Sequence, residues 1–232
     1  MKTGIFALIT CGIWMLLGAC SDLDNYDPPT GTIYGRLIDE TSDEPFETEQ
    51  PNGFRIRYIE QDYINPNVAV QNFHGKPDGS FERGYVFPAT YKVMPIEGAF
   101  FPLTDTATVT VSGRTEVNFN IIPYLHLNAT AEAYNGNNII VRYKISRSLA
   151  GPKIMERKAL CSHIPTVNNT VWLKQAATNL SPLSDEAILA ENYIDTIKAL
   201  ETGKTYYIRA AARTANANNR FNYSKTITIT LP

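Results

Sequence analysis

Residues 200–212, LETGKTYYIRAAA, contain a clear β-strand pattern. From Tyr206 onward, Tyr206 and Ile208 alternate with Arg209 and Arg213, and this period of two is the pattern of a half-buried β-strand. The stretch therefore predicts a strand whose apolar positions face a core and whose arginines face outward.

The same alternation recurs along the chain on both sides of this strand. It is present in the stretches 54–58, 108–111, 117–121, 139–145 and 227–231. Turn sequences rich in Gly, Pro, Asn and Asp separate these runs, at 51–53, 77–80, 112–114 and 134–138. Helical periodicity is absent from the first half, so the sequence predicts an all-β protein.

A domain boundary is predicted at Ile122-Pro123-Tyr124, because Pro123 has no N–H to donate to a sheet and tends to end a strand. We therefore expect two tandem β-sandwiches, one over residues 30–122 and the other over residues 123–232.

Several short stretches of the first half, taken in order, resemble the carboxypeptidase-regulatory-like, or transthyretin-like, domain. They are GTIYGRLID at 31–39, EPF at 44–46, PDGSF at 77–81, FPATYKV at 87–93 and VTVSGRTEVNF at 109–119. The resemblance implies a sandwich that serves as a scaffold without an activity of its own. Within it, Tyr91 and Val93 are expected to face the core, and Gly113 is expected to close a hairpin.

The second half resembles a fibronectin type III domain, since residues 200–212 match the turn and strand that carry its tyrosine corner. The resemblance implies that the Tyr206 hydroxyl bonds to backbone a few residues upstream. Residues 176–195 depart from that pattern as an insertion, and they include SPLSDE at 181–186, which is typical of a capped helical turn. Such an insertion is either functional or merely tolerated.

The N-terminus reads as an export signal. Lys2 precedes a mostly apolar run over residues 5–17, which is shorter than the roughly 20 residues that span a bilayer. Leu17-Gly18-Ala19-Cys20 then resembles the bacterial lipobox. We predict a signal peptide at 1–19 and lipid attachment at Cys20; the alternative is an ordinary signal peptide with a coincidental cysteine.

Residues 20–29 are predicted to be an acidic tether between the lipid and the first sandwich, stiffened at its end by Pro28-Pro29. The acidic run also resembles the export signal that follows the lipidated cysteine in surface-displayed Bacteroidetes lipoproteins. The alternative is a plain solvated linker.

The order of lipid cysteine, acidic tether and two sandwiches resembles a family of uncharacterised Bacteroidetes outer-membrane lipoproteins. The resemblance implies a lipid-anchored, surface-exposed protein that binds glycan or assists a Sus-type uptake system. Its partners would be the membrane, a glycan, and the TonB-dependent porin and substrate-binding lipoprotein of that system. The alternatives are a structural or adhesive protein-interaction module and, less favoured, a glycoside hydrolase.

Residue chemistry argues for binding rather than catalysis. With a net charge of −2, the chain lacks the excess of Lys and Arg that is typical of a nucleic-acid-binding protein. The three histidines, His74, His126 and His163, lie far apart in the sequence, and no metal-binding or nucleophile motif occurs. Cys161, in an apolar neighbourhood, is expected to be a buried thiol. We predict no enzyme activity, no cofactor and no metal.

Aromatic side chains in loop-like contexts are the candidate ligand contacts, because sugar rings bind on aromatic planes with polar groups around them. These candidates are Tyr63, Phe73, Phe100, Phe101, Trp172 and Tyr193. Two alternatives stay open: Trp172 belongs to a core strand at 170–173, and Phe100-Phe101 packs the seam between the sandwiches. Thr106 and Thr196 resemble acceptors of bacterial O-glycosylation, a match that chance also produces.

Overall fold

The computed structural model describes residues 27–62 and 69–232, and within them the chain forms seventeen strands and one short helix. The predicted all-β class is confirmed. The signal peptide, Cys20 and most of the tether lie outside the described residues, as does Tyr63. Among the residues that are described, no helix is long and apolar enough to cross a membrane.

The first sandwich contains nine strands in two sheets. Its strands are β1 (Gly31–Asp39), β2 (Glu44–Pro45), β3 (Arg55–Glu60), β4 (Gln71–His74), β5 (Ser80–Val86), β6 (Ala89–Ile96), β7 (Ala107–Val111), β8 (Arg114–Glu116) and β9 (Phe119–Ile121). In one sheet, β1 pairs antiparallel with β5 and β2 along one edge and parallel with β8 and β9 along the other. The other sheet has the order β4-β3-β6-β7.

Tyr91 and Val93 lie in the core between these sheets, as the sequence predicts. The predicted hairpin at Gly113 is wrong. Strand β7 pairs with β6 in one sheet and β8 pairs with β1 in the other, so the turn at Gly113 carries the chain between sheets.

The second sandwich has the strand order of a fibronectin type III domain. Its elements are β10 (His126–Tyr134), β11 (Asn138–Ser146), β12 (Ile154–Ser162), β13 (Lys174–Asn179), α1 (Asp185–Ala190), β14 (Asn192–Ile197), β15 (Thr205–Thr214), β16 (Phe221–Tyr223) and β17 (Ile227–Thr230). One sheet is β10-β11-β14, and the other is β13-β12-β15 with β16 and β17 both paired to β15.

Residues 176–195, which read as an insertion from the sequence, include parts of two sandwich strands. They supply the end of β13 and the beginning of β14, and only α1 and its flanking turns lie between. Ser184 caps α1 by accepting a hydrogen bond from the Ala187 N–H at 3.2 Å, so the predicted capped turn is present.

The tyrosine corner is also present. The Tyr206 hydroxyl accepts a hydrogen bond from the Glu201 N–H at 2.8 Å and lies 3.2 Å from the Glu201 carbonyl oxygen, to which it donates. Tyr206 is buried, so these bonds hold the turn before β15 against the core.

We expect Tyr206→Phe to lower the free energy of unfolding by about 1 kcal/mol, because the two hydrogen bonds between the Tyr206 hydroxyl and the Glu201 backbone are lost while the packing of the ring is kept. Urea denaturation measures the change. Tyr207→Phe is the matched control, since the Tyr207 hydroxyl forms no hydrogen bond within the described part of the chain. Equal losses in the two variants would argue against the corner.

The joint between the sandwiches buries polar side chains rather than a wide apolar seam. Arg209, on β15, donates to the Thr48 carbonyl at 2.7 Å, to the Ser224 carbonyl at 2.9 Å and to the Glu47 carboxylate at 3.1 Å. Its guanidinium also lies 4.4 Å from the centre of the Tyr223 ring. Arg209 therefore faces away from the core of the second sandwich, but it is buried because the segment around residues 47–49 of the first sandwich covers this face of β15.

Further bonds close the joint on either side of Arg209. The Tyr223 hydroxyl donates to the Glu49 carboxylate at 2.6 Å, and the Asn222 amide donates to the Ala99 carbonyl at 2.8 Å. The Arg220 guanidinium donates to the Glu97 carbonyl at 3.2 Å. A joint bonded at this many points fixes the two sandwiches relative to each other.

Candidate ligand-binding surface

Three of the aromatic candidates pack inside the protein. Phe73 makes edge contacts with Tyr58 and Phe81 against the core of the first sandwich. Phe100 is buried, and the half-buried Phe101 ring lies 4.8 Å from that of Tyr124 at the joint. The structure therefore supports the alternative that Phe100-Phe101 packs the seam between the sandwiches.

Tyr193 lies in an ionic cluster that closes one edge of the second sandwich. Its ring lies 5.6 Å from that of Tyr143 and 4.5 Å from the Arg157 guanidinium, and its hydroxyl donates to the Ile188 carbonyl at 2.8 Å. Arg157 also bonds to the Asp195 carboxylate, which accepts from the Tyr143 hydroxyl at 2.6 Å. Burial, followed by this bond to Asp195, raises the pKa of Tyr143. These contacts make Tyr193 part of the sandwich packing.

Trp172 remains exposed, and it lies in a loop rather than in a core strand. The alternative of a strand over residues 170–173 is wrong, because a tight turn occupies residues 168–171 and β13 begins only at Lys174. The side chain of Trp172 is 44% exposed, which leaves much of the indole available to a ligand.

A buried asparagine holds this loop in place. The Asn168 side-chain oxygen accepts hydrogen bonds from the Thr170 N–H, the Thr170 hydroxyl and the Val171 N–H, at 2.8, 2.8 and 2.9 Å. Val167 packs beneath the loop against Leu160 and Phe221. We call residues 163–173 the Trp172 loop.

The Trp172 loop is also bonded to the sheet below it and to the joint. The Asn169 N–H donates to the Tyr223 hydroxyl at 3.1 Å, and the Asn169 side chain accepts from the Lys158 ammonium at 2.7 Å. Since the Tyr223 hydroxyl itself donates to Glu49, a chain of hydrogen bonds runs from the first sandwich to the loop. The loop is thus rigidly supported before any ligand arrives, which lowers the entropic cost of binding.

Two exposed aliphatic side chains accompany Trp172 beside the end of β12. Ile164 is 52% and Leu173 is 45% exposed. The Leu173 N–H donates to the Cys161 carbonyl at 2.7 Å, and the Ile164 N–H donates to the Ser162 hydroxyl at 3.1 Å, so both positions are anchored to that strand end. Sequence reasoning missed this pair, because isolated apolar residues in a loop carry no periodic signal.

Exposed polar side chains also lie on the Trp172 loop and directly after it. His163, Thr170, Lys174 and Gln175 are all exposed. His163 lies 3.1 Å from the Thr205 carbonyl oxygen through Nδ1, and its ring lies 4.6 Å from that of Tyr206. An exposed indole with aliphatic neighbours and nearby polar side chains suits a ligand that has both apolar C–H faces and hydroxyls.

Two clefts flank the joint, and neither offers an exposed aromatic ring of comparable size. The larger, of about 380 Å³, is lined by charged groups that largely pair with one another. The His126 ring lies 3.0 Å from the Asp39 carboxylate, and the Lys225 ammonium lies 3.2 Å from Glu44. The smaller, of about 170 Å³, lies beside Glu97 and Phe100.

The structure also locates the residues considered for metal binding, nucleophilic chemistry and glycosylation. Within the described residues, no group of three or more His, Cys, Asp or Glu side chains is placed to hold a metal ion. Cys161 is a buried free thiol, and burial raises its pKa to about 12. Thr106 lies exposed before β7, whereas Thr196 lies half-buried within β14.

Comparison with known proteins matches the first sandwich to a family. Residues 31–122 match the model described as protein of unknown function (DUF3823) N-terminal domain. The matched range coincides with strands β1–β9 of the first sandwich. A search of curated proteins finds no match to the sequence.

Solved structures of a similar fold come from Bacteroides and Parabacteroides species. A DUF3823 family protein from Bacteroides uniformis has 22% identity and a TM-score of 0.78, with 88% of this chain and 100% of that chain covered. A second protein from Bacteroides uniformis, described as a "putative carbohydrate binding protein", has 25% identity and a TM-score of 0.72 over the same shares. A DUF3823 family protein from Parabacteroides merdae has 18% identity and a TM-score of 0.72, again with 88% and 100% covered.

Proposed function

We propose that this chain is a non-catalytic glycan-binding protein that is anchored by a lipid on Cys20 and displayed at the surface of the outer membrane. The observation that carries the proposal is Trp172, an exposed indole on a loop already held by buried hydrogen bonds. The Bacteroides uniformis protein described as a "putative carbohydrate binding protein", at 25% identity, supports the same reading.

The binding mode follows from the surface chemistry. A sugar ring lays its apolar C–H face on the Trp172 indole, and the aliphatic side chains of Ile164 and Leu173 extend that contact. Polar side chains around the loop, such as Lys174 and Gln175, take the hydroxyls. In a Sus-type system, such a protein would hold polysaccharide beside the TonB-dependent porin and the substrate-binding lipoprotein.

The chain provides its own reporter for this mode. Tryptophan occurs only at positions 14 and 172, and position 14 lies in the proposed signal peptide. Trp172 is therefore the sole tryptophan of the processed chain, so its fluorescence reports directly on the proposed contact.

We expect a bound polysaccharide to change Trp172 fluorescence, and Trp172→Ala to weaken binding at least tenfold, which equals about 1.4 kcal/mol. Isothermal titration against a panel of bacterial, plant and host glycans measures the affinities. Tyr85→Ala is the matched control, because Tyr85 is an exposed aromatic on the first sandwich. Unchanged affinity in Trp172→Ala, or no binding to any glycan of the panel, contradicts the proposal.

A structural or adhesive module is the second candidate function, and the rigid joint favours it. Two sandwiches held together through Arg209 and Tyr223 can project a partner-binding face at a fixed angle. This candidate predicts that the protein captures a partner protein through the Trp172 loop and binds none of the glycans. A glycoside hydrolase is less favoured, and release of reducing ends from a bound polysaccharide would revive it.

A further inference from the structure

Two exposed aromatic side chains lie at the end of the first sandwich that faces away from the joint. Tyr85 is 86% exposed and Phe87 is 45% exposed. Both lie near the end of β5, where Val86 pairs with Gly31, the first residue of β1. We call Tyr85 and Phe87 the tip aromatics.

A bulge in β5 directs Tyr85 away from the sheet. The register of β5 against β1 changes here, since Val86 pairs with Gly31 and Gly84 pairs with Thr32, which leaves Tyr85 unpaired. Tyr85 has a φ of 57°, in the left-handed region that a bulky residue rarely adopts. The sandwich holds a large aromatic in a strained, outward position at this point, and such positions are typical of functional surfaces.

The backbone that carries the tip aromatics is braced. The Tyr91 hydroxyl donates to the Phe87 carbonyl at 2.9 Å, and burial, followed by repulsion from Glu60, raises the Tyr91 pKa to about 12. At the same end, the Asp62 carboxylate accepts from the Thr90 N–H at 2.6 Å.

The tether enters the sandwich directly beside the tip aromatics. Gly31 fits there because a side chain would collide with Val111 and with the Val86 carbonyl, since a Cβ would lie 2.5 and 2.7 Å from them. From Cys20 to Gly31 the chain makes eleven steps, which reach about 40 Å when fully extended. A lipid on Cys20 therefore keeps Gly31, which pairs with Val86 between the two tip aromatics, within this distance of the membrane surface.

We propose that the tip aromatics contact the membrane surface that holds the Cys20 lipid, so that the first sandwich stands on its tip and the Trp172 loop lies away from the membrane. This inference rests on the lipid anchor of the proposed function. Tyrosine and phenylalanine suit the site, because aromatic rings settle at the boundary between headgroups and acyl chains. The tether also raises the effective concentration of the tip at the surface, so that two side chains suffice for contact.

The Trp172 loop lies at the joint, whereas the tip aromatics lie at the other end of the first sandwich. The Asn169 N–H of the loop donates to Tyr223, which in turn donates to Glu49 of the first sandwich. The tip aromatics lie beside the first residue of β1, and the last residue of β1, Asp39, pairs with His126 of the second sandwich. A protein that stands on its tip thus presents its glycan surface to the medium.

Fluorescence in anchored protein tests the contact. The processed chain, residues 20–232, is coupled through Cys20 to a maleimide-bearing lipid in phosphatidylcholine vesicles; Cys161 is buried and does not compete. The Tyr85→Trp variant, made in a Trp172→Phe background, then has its only tryptophan at the tip. We expect its emission to shift to shorter wavelength on coupling, and brominated phospholipids to quench it.

The same chain with native Trp172 and unchanged Tyr85 is the matched control, and we expect neither a shift nor quenching from it. A Phe87→Trp variant in the Trp172→Phe background repeats the test at the second position. Tip tryptophans that emit as in water and resist quenching would overturn the inference, and so would quenching of Trp172. Because coupling is chemical, these results do not depend on natural acylation. Loss of radiolabelled palmitate in Cys20→Ala, and glycan binding in solution, test the proposed function separately.

Discussion

Arg209→Ala is expected to lower the free energy of unfolding by about 3–5 kcal/mol, the usual cost of removing one partner from a buried ionic cluster. The Arg209 side chain is 2% exposed and donates to three acceptors drawn from both sandwiches. Burial lowers its pKa, and the Glu47 carboxylate opposes that shift. Without the guanidinium, the Thr48 and Ser224 carbonyls lose their donor and the carboxylates of Glu47 and Glu49 lose their nearby positive charge.

Urea denaturation at neutral pH measures the loss. Arg213→Ala is the matched control, because Arg213 lies on the same strand, is 22% exposed in its side chain, and pairs with Glu156 at 3.3 Å. We expect about 1 kcal/mol or less from that variant. The loss of unfolding free energy in Arg209→Lys should lie between those of Arg209→Ala and Arg213→Ala. An ammonium keeps the charge but lacks the planar guanidinium that reaches three acceptors. Equal losses in Arg209→Ala and Arg213→Ala would show that the joint does not depend on Arg209.

Asp195→Ala is expected to destabilise the second sandwich by a similar amount, about 3–5 kcal/mol. The side chains of Asp195 and Arg157 are 10% and 13% exposed, and the carboxylate accepts hydrogen bonds from both Arg157 and Tyr143. Its removal leaves a buried guanidinium whose Nε already has no hydrogen-bond partner. Asp195→Asn should cost less, because an amide oxygen still accepts from the Tyr143 hydroxyl.

Thermal or urea unfolding compares these variants with Glu132→Ala. Glu132 lies in the same sheet and pairs with Arg142, but the two side chains are 60% and 47% exposed. An exposed pair of this kind contributes about 0–1 kcal/mol. If Asp195→Ala costs no more than Glu132→Ala, then Tyr193 and its neighbours are not a structural cluster, and Tyr193 returns as a candidate ligand contact.

Local patterns in the sequence predict much of this fold. The alternation of Ile139, Val141, Tyr143 and Ile145 corresponds to four buried positions of β11. The tyrosine corner at Tyr206 also follows from its short-range sequence context. Both features depend on residues close together in the chain, which is the range over which periodicity and turn chemistry carry information.

Features that depend on distant segments were not predictable in the same way. Arg209 occupies an outward position of β15, and it is buried only because residues 47–49 fold over that face. Trp172 reads as a strand residue, because Thr170-Val171-Trp172-Leu173 has strand composition while the Asn168 side chain imposes a turn. Tyr85 was missed because a bulge with a left-handed tyrosine has no sequence signature. Whether Trp172 and Tyr85 are exposed therefore depends on the tertiary structure, and the local sequence pattern does not predict it.

The double role of Tyr223 limits how freely the two halves of this protein can be exchanged. Its hydroxyl receives the Asn169 N–H of the Trp172 loop and donates to Glu49 of the first sandwich. In a chimera that replaced the first sandwich, the buried Tyr223 hydroxyl would lose its acceptor, Glu49. In a chimera that replaced the second sandwich, the Glu49 carboxylate would lose the hydrogen bond from Tyr223. Tandem β-sandwich domains can often be exchanged between proteins, but here we expect the two domains to be inherited, expressed and engineered together.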